Sequence, residues 1–596
     1  MRVSALSAAF VALSIQLAQA TVFQNLDEFA AKRALKKYDF IVVGGGVAGP
    51  VLANRLTESG RWNVLLVEAG PDNVGVEELQ IPGFTYNGRI NSTYYWNYET
   101  TPQVGLGGRS FGFTRGHVLG GSSSINGMVY TRGSQDDYDL WGRVSGDKRW
   151  TWKNLLPYFK KNEKFIPHTH RNITGQWDPT THGYNGRTLV TLPWADKTEH
   201  YERTMKNAEV QPEFFYNVDA NNGKPTGLSW MQSTIGKGER SSAAASYLDS
   251  ATRQRRNLDI LVNTYATRVL PTGSRASTNL DIRTIELVPR KRPGTGPPGS
   301  SVARYRAITV TADKELVLSA GAIGTPQILL NSGIGDKKDL DAVGVKTIHN
   351  LPDVGKDLSE HLNVALSWAG AGKEPPPVDA DAAYQEWKSK RTGSLVDLVG
   401  QQIVWARIPD NSTLWEKYKD PSAGPTSAHI ELTLGGNPAA TGAFIVLLTP
   451  YSRGSIKIKG TDPTADPLID LGFLTHPFDI EAIKEAIRLA KRFYSGPAWE
   501  GYISAYTGPD PDTEPEDVFL KRVQEAVGSF YHPAGVSKIS KKGEKKGVLD
   551  PDLRVKGVRG LRIADAGIIP YVPGAHTQAA VYAIAEQASD IIKEAW

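Results

Sequence analysis

Residues 38–70, YDFIVVGGGVAGPVLANRLTESGRWNVLLVEAG, constrain the fold more than any other stretch of the chain. The apolar run from Tyr38 to Val43 leads straight into Gly44, Gly46 and Gly49, after which Ala48, Val51, Leu52 and Leu56 recur at helical spacing. A second apolar run, 62–67, ends on Glu68, 19 residues beyond Gly49 (68 − 49), where a dinucleotide-binding unit places a carboxylate against a ribose hydroxyl. Gly44 lets the chain turn, Gly46 lets the backbone approach a pyrophosphate, and Gly49 lets the helix lie close on the strand. Phosphate charge then falls at a helix N-terminus, where free N–H groups and the positive end of the dipole favour an anion. Strand, glycine turn, helix, strand and acid all point to a dinucleotide site.

The rest of the 596-residue chain is long enough for more than one domain around a large core. A net charge of +5 is small for that length and no basic block carries interleaved aromatics, so nucleic acid is not an expected partner. Residues 1–20 carry Arg2, an apolar stretch and then Ala18-Gln19-Ala20, which reads as a signal peptide. The mature chain is expected to begin near Thr21 as a secreted, extracellular protein, and no later run has the length of a membrane span. There are no cysteines, which excludes disulfides and thiolate metal sites, and no metal is expected. Asn91, Asn172 and Asn411 head Asn-x-Ser/Thr sequons, as suits a glycoprotein.

Further along, residues 71–101 are rich in Gly, Pro, Asn and Tyr and read as loop. Residues 114–128 concentrate Gly and Ser among apolar positions, a backbone able to converge several N–H groups on an anion. Residues 258–270 and 308–320 read as strands. From about 351 the pattern changes: 454–459 alternates Ile456 and Ile458 against Lys457 and Lys459, as in an antiparallel strand with one wet face. Ile483, Ala486, Ile487 and Ala490 mark an amphipathic helix, with Asp479 as its expected cap, and Val581, Ile584, Ala585, Ala588 and Ile592 mark a stripe on a last helix.

Four stretches in order resemble the glucose-methanol-choline (GMC) oxidoreductase family, whose members bind FAD: the unit at 38–70, GHVLGGSSSINGMVYTRG at 116–133, SAGAIGTPQILLNSGIG at 319–335, and the C-terminal YHPAG and GAHTQAAVYAIAEQASDII. The resemblance runs from about Tyr38 to the end. It implies an α/β fold, α+β overall, in which a Rossmann-type FAD-binding domain (38–170, 233–350 and 546–596) carries a substrate domain (171–232 and 351–545) with an antiparallel sheet backed by helices. The cofactor-binding residues it implies are Gly44, Gly46, Gly49, Glu68, Gly120, Ser122, Asn126, Gly127, Val269, Asp565, Ala566, Thr577 and Gln578. Members that tether the flavin covalently place a histidine directly before the Asn of the first signature; Ile125 stands there, so FAD is expected to be non-covalent.

In the reaction the resemblance implies, an alcohol loses its hydroxyl proton to a base and a hydride from carbon to flavin N5. Of 11 histidines, His532 follows Phe530 and Tyr531 on a Pro-stiffened turn and His576 stands where the last helix begins. The family match assigns His532 as the base, a role that suits a group titrating near neutrality, and His576 as its partner on the same oxygen. Backbone N–H groups near Thr577 and Gln578 would stabilise charge on the reduced flavin. Tyr531 offers an aromatic face in the substrate pocket.

Among members, the chain looks most like fungal aryl-alcohol oxidases and the related pyranose and glucose dehydrogenases, and GERSS at 238–242, WARIP at 405–409 and DPSAGP at 420–425 resemble aryl-alcohol oxidase stretches. It departs from those oxidases where their gating tyrosine stands, in VGLGGRS at 104–110, and in a loop shortened to GGNPAA at 435–440, which argues for a wider entrance. The expected function is oxidation of a primary aryl, allylic or furan alcohol to the aldehyde, with electrons passing to O2 or a quinone. The alternatives are a pyranose or glucose dehydrogenase, a lyase or cyclase that keeps FAD for acid–base work, a fold retained for binding alone, and an NAD enzyme. The sequence leaves oligomeric state open.

Overall fold

The computed structural model describes residues 21–33, 36–168, 170–194, 198–273, 280–289, 307–398 and 400–596, so the expected signal peptide lies outside the described residues. The nucleotide unit forms as read: strand Tyr38–Val43, helix Ala48–Thr57 and strand Val64–Val67. Both strands are buried on both faces, which is why they are continuous Val, Leu and Ile runs rather than alternating ones. They sit inside a nine-stranded sheet. Thr21–Phe23, Leu258–Leu261, Val64–Val67, Tyr38–Val43 and Ile308–Leu318 run parallel in that order, and Leu280–Pro289 and Thr264–Pro271 continue it antiparallel.

Leu561–Ile563 returns from the C-terminal region to lie parallel to Ile308–Leu318. The register pairs Val43 with Val67, Leu318 with Val43, and Leu318 with Ile563. Four strands therefore stop at one level, and the segments that follow them open onto the same crevice, where open α/β sheets hold ligands. The last helix, Gln578–Ala595, lies against Ala48–Thr57, with Arg55 donating to the buried Glu586 at 2.8–3.0 Å. Its burial extends beyond the expected stripe to every position from Gln578 to Ser589, so it is a core helix rather than a surface one.

The second sheet has seven strands, ordered Ile503–Tyr506, Leu362–Gly370, Ala440–Leu447, Ile430–Gly436, Gln402–Ala406 and Gly227–Trp230, with Val527–Ser529 also paired to Leu362–Gly370. Every pairing is antiparallel. Helix Pro477–Tyr494 covers one face, its Ile483, Ala486, Ile487 and Ala490 packed in one cluster with Ile430, Leu432, Leu434, Ala443 and Ile445. The other face looks toward the crevice of the first sheet.

Several local readings are corrected. His476, not Asp479, caps the 477–494 helix: its ring Nδ1 accepts from the Phe478 N–H, Pro477 fills the first helical position, and Asp479 is spent on the N–H groups of Tyr451 and Ser452. Ser455–Lys457 pairs only with Leu468–Asp470, as a separate ribbon, although Ile456 is buried and Lys457 exposed as expected. Within 71–101, read as loop, Tyr95–Glu99 is a strand paired with Gly112–Gly116. Aromatic side chains favour a pleated, half-buried strand over the loop that the surrounding Gly, Pro and Asn suggest.

Behind the crevice lies a buried charge cluster. His182 donates from Nδ1 to Glu163 at 2.6 Å and from Nε2 to Asp219 at 2.7 Å, and Glu163 also pairs with Arg132. Burial opposes charge on the imidazole, but the bonds to Asp219 and Glu163 outweigh it and hold its pKa above the ordinary value. A group raised in the folded state stabilises fully below its unfolded pKa of about 6.5 and loses that contribution as pH rises through the folded value. The Tm gap between wild type and His182→Gln should therefore be widest below about pH 6.5 and narrow at higher pH; a gap that does not vary with pH would show that His182 is uncharged.

Candidate active site

A cavity of about 1170 Å³ runs from the glycine turn to His532 and His576. Its floor is backbone packed on backbone. Gly44 has φ 102°, and a Cβ there would stand 2.4 Å from the Ser319 carbonyl oxygen; one on Gly49 would stand 2.0 Å from the Gly44 oxygen. The first-signature loop closes from the other side: Gly120 donates to the Gly45 carbonyl at 2.7 Å, and a Cβ on Gly121 would lie 2.6 Å from Gly46 Cα. Glu68 accepts from the N–H groups of Gly45 and Gly70, both at 2.7 Å, which fixes its carboxylate at the cavity wall.

Of the expected cofactor residues, Gly44, Gly46, Glu68, Ser122, Asn126, Gly127, Asp565, Ala566, Thr577 and Gln578 line the cavity. Gly49 and Gly120 act one layer behind through the close contacts just described. Val269 does not reach it: its side chain is fully buried and its N–H donates to Ser332 Oγ, while Thr264 to Thr267 of the same strand form the wall. Asp565 accepts from Gly321 N–H at 2.9 Å, Thr325 Oγ1 at 2.6 Å and Gly567 N–H at 2.8 Å, tying the second signature to the C-terminal segment. Asn126 donates to Gln578 Oε1 at 3.2 Å, which ties the first signature to the last helix.

These features fit a dinucleotide. Helices Ala48–Thr57 and Gln578–Ala595 both begin at the cavity without a side-chain cap, so first-turn N–H groups face it from two sides. Ser319 Oγ, also in the wall, is buried without a partner. Among the described residues, no group of three or more His, Cys, Asp or Glu is placed to hold a metal ion, and no helix is long and apolar enough to cross a membrane. All three sequon asparagines are exposed.

At the far end the two histidine rings meet edge to face, centroids 4.9 Å apart, with Phe530 against both. His576 Nε2 lies 3.1 Å from Glu431 Oε1, and its N–H donates to Thr131 Oγ1. His532 donates its backbone N–H to Glu360 Oε1 at 2.7 Å, and its Nδ1 lies 3.0 Å from Nδ1 of His361. Burial, then His576, His361 and Arg115, hold the His532 pKa well below its ordinary value, so the ring is neutral. Burial pushes His361 down to about 3 and Glu360 up to about 8. Tyr531, at the mouth, is nearly half exposed, stacks on Phe113, and holds φ at 61°.

Sequence reasoning did not find Glu360, His361 or Glu431. Glu431 had a signal: in IELTLGG the apolar Ile430, Leu432 and Leu434 alternate with Glu431 and Thr433, so a carboxylate shares a face with no other charge in that strand.

N-terminal and C-terminal domains described as GMC oxidoreductase match residues 38–363 and 450–585. The chain belongs to the GMC oxidoreductase family. It is an FAD-dependent oxidoreductase of CH–OH donors by that membership. It is 37% identical to pyranose dehydrogenase 3 of Leucoagaricus meleagris, over 94% of this chain and 93% of that protein. Among solved structures it resembles an FAD-dependent oxidoreductase from Chaetomium thermophilum (TM-score 0.83, 26% identity, 94% and 99% of the two chains) and a fungal aryl-alcohol oxidase (TM-score 0.79, 25% identity, 94% and 99%).

Proposed function

We propose that this GMC oxidoreductase oxidises a primary alcohol carried by an aromatic or other π-conjugated group. The observation that carries this reading is the wall around the histidine pair. Met128, Met231 and Leu398 form one apolar cluster with Phe530 packed on it, and Phe444 and Tyr531 add aromatic faces. Asn363, Thr433 and Ser529 add polar side chains to the same wall, with Arg115 behind Tyr531. A flat apolar substrate stacks there at little desolvation cost, whereas a polyhydroxylated one leaves hydroxyls unpaired.

FAD, when bound, supplies the acceptor for the hydrogen that leaves carbon with its electron pair. His532, neutral and open to the cavity, takes the hydroxyl proton. His576 holds the same oxygen from the side, its ring oriented by Glu431. The uncapped first turn at Thr577 and Gln578 places donors where negative charge is favoured. Ile125, directly before Asn126 in the cavity wall, offers no nitrogen for a covalent link, so FAD is held by contacts alone.

A second reading, oxidation of a pyranose, rests on identity to the Leucoagaricus pyranose dehydrogenase along nearly the whole chain. The hairpin tip at 437–440 packs on 370–372 rather than over the cavity, which leaves room for a larger substrate.

Aryl or furan alcohols should give higher kcat/KM than glucose, assayed both for peroxide and for reduction of a quinone; a better sugar would replace the first reading by the second. His532→Ala should retain FAD yet slow flavin reduction by alcohol about 100-fold or more, and near wild-type reduction would remove His532 from the base role. Acid precipitation should leave the yellow cofactor in the supernatant; colour in the pellet would mean a covalent bond.

A further inference from the structure

The contact between His361 and His532 has chemical content of its own. Their Nδ1 atoms are 3.0 Å apart, with the rings nearly perpendicular at 84°. One hydrogen makes such a contact: two bare nitrogens repel through their lone pairs, and two N–H groups clash. Both rings are neutral, so one of them donates and the other accepts.

The far side of His361 decides which. This ring is fully buried, its Nε2 has no well-formed hydrogen bond, and with Nδ1 turned to His532 the acceptor beside the rest of the ring is the backbone carbonyl of Leu448, next to the Leu362–Leu447 pair. A hydrogen on Nε2 is drawn to that oxygen, while a lone pair there is repelled by it. His361 therefore carries its hydrogen on Nε2 and presents Nδ1 as an acceptor, which requires His532 to be the donor.

We propose that His361 is a positioning residue: by accepting the Nδ1–H of His532 it fixes that ring in the tautomer whose Nε2 lone pair faces the cavity. This rests on the reading of His532 as the base. Without a partner on Nδ1 an imidazole populates both tautomers, and the one with hydrogen on Nε2 cannot take a proton there. When the alcohol O–H bond breaks, the proton forms a new N–H bond at Nε2. The Nδ1–H stays on His532 throughout, still bonded to His361.

The neighbouring geometry serves the same end. Glu360 and His361 are consecutive, and they grip His532 by main chain and ring respectively. The preceding residue is held too: Tyr531 donates its N–H to Ser529 Oγ and accepts from Arg115 Nη1, both at 2.9 Å. Backbone and ring of the base are thus fixed by separate contacts, and the ring contact also selects where its hydrogen sits.

The FAD-loaded enzyme tests this in three measurements. In 15N NMR of histidine-labelled protein, with His532→Ala identifying the signals, His532 should show a protonated Nδ1 and a bare Nε2; a protonated Nε2 overturns the proposal whatever the activity. His361→Phe, which keeps the bulk and removes the acceptor, should slow flavin reduction about 10- to 100-fold, with FAD content and substrate KM little changed. His361→Asn, whose Oδ1 replaces Nδ1 as acceptor, should keep most of the rate. In the His532→Ala background, His361→Phe should cause no further loss; an equal loss there marks a structural role and overturns the proposal. Should His361→Phe fail to fold, His361→Asn and the wild-type spectrum decide. If His532→Ala reduces normally, the base reading fails, while the spectrum still reports on the tautomer.

Discussion

Everything at this site depends on main chain meeting main chain with no side chain between. Gly44 lies against the Ser319 carbonyl and Gly121 against Gly46 Cα, so the ends of two parallel strands and the first-signature loop share one narrow junction. A methyl group at either glycine would have to occupy space already filled by backbone, which cannot withdraw as a flexible side chain can. The contact explains why the segments near residues 45 and 120 carry glycine together, whereas Gly321 has open space around it and is required by its φ of 78°. It also sets the depth of the cavity floor, and therefore the distance from there to the histidines.

The roof follows from strand periodicity. In the seven-stranded sheet, alternate residues face the 477–494 helix and are apolar apart from Thr441 and Gln402, while their neighbours face the cavity and carry the chemistry. Thr433 pairs in register with Phe444, and Asn363 and Glu431 both pair with Val446. One helix-covered face thus fixes the register, and the register delivers Asn363, Glu431, Thr433 and Phe444 to the reacting end.

The nucleotide unit, both signatures and the terminal helix were legible because their information is local: glycine spacing, an acid at the end of a strand, a helical stripe. The family resemblance supplied the histidine roles, which spacing alone did not. His361 was not legible. It stands at the start of Leu362–Gly370, 171 residues before His532 (532 − 361), and only the antiparallel pairing of Leu362 with Ser529 brings them side by side. Glu360 hides for the same reason, and Val269 was misplaced because the wall is formed by residues 264–267 of the same strand. The His476 cap was missed because an Asp near a helix start is the commoner cap, and only the tertiary claim of Tyr451 and Ser452 on Asp479 reverses that preference.

A base buried beside a second histidine, an arginine and a carboxyl group faces an electrostatic difficulty, since any fixed charge there changes whether it can accept a proton. The chain resolves this by neutrality. Burial raises the Glu360 pKa to about 8 and lowers that of His361 to about 3, so near pH 7 the two groups bonded to His532 are predominantly uncharged, while the nearby Arg115 guanidinium keeps its charge and disfavours a second one on the base. Orientation must then come from hydrogen bonds and strain rather than ion pairs. A tyrosine in the left-handed region at φ 61° costs about 1–2 kcal/mol, and the bonds from Ser529 and Arg115 to its backbone offset it. The strained turn aims the base, the neutral partners leave it able to accept a proton, and neither would suffice alone: an aimed but charged ring cannot act as a base, and a neutral but mobile one does not meet its substrate.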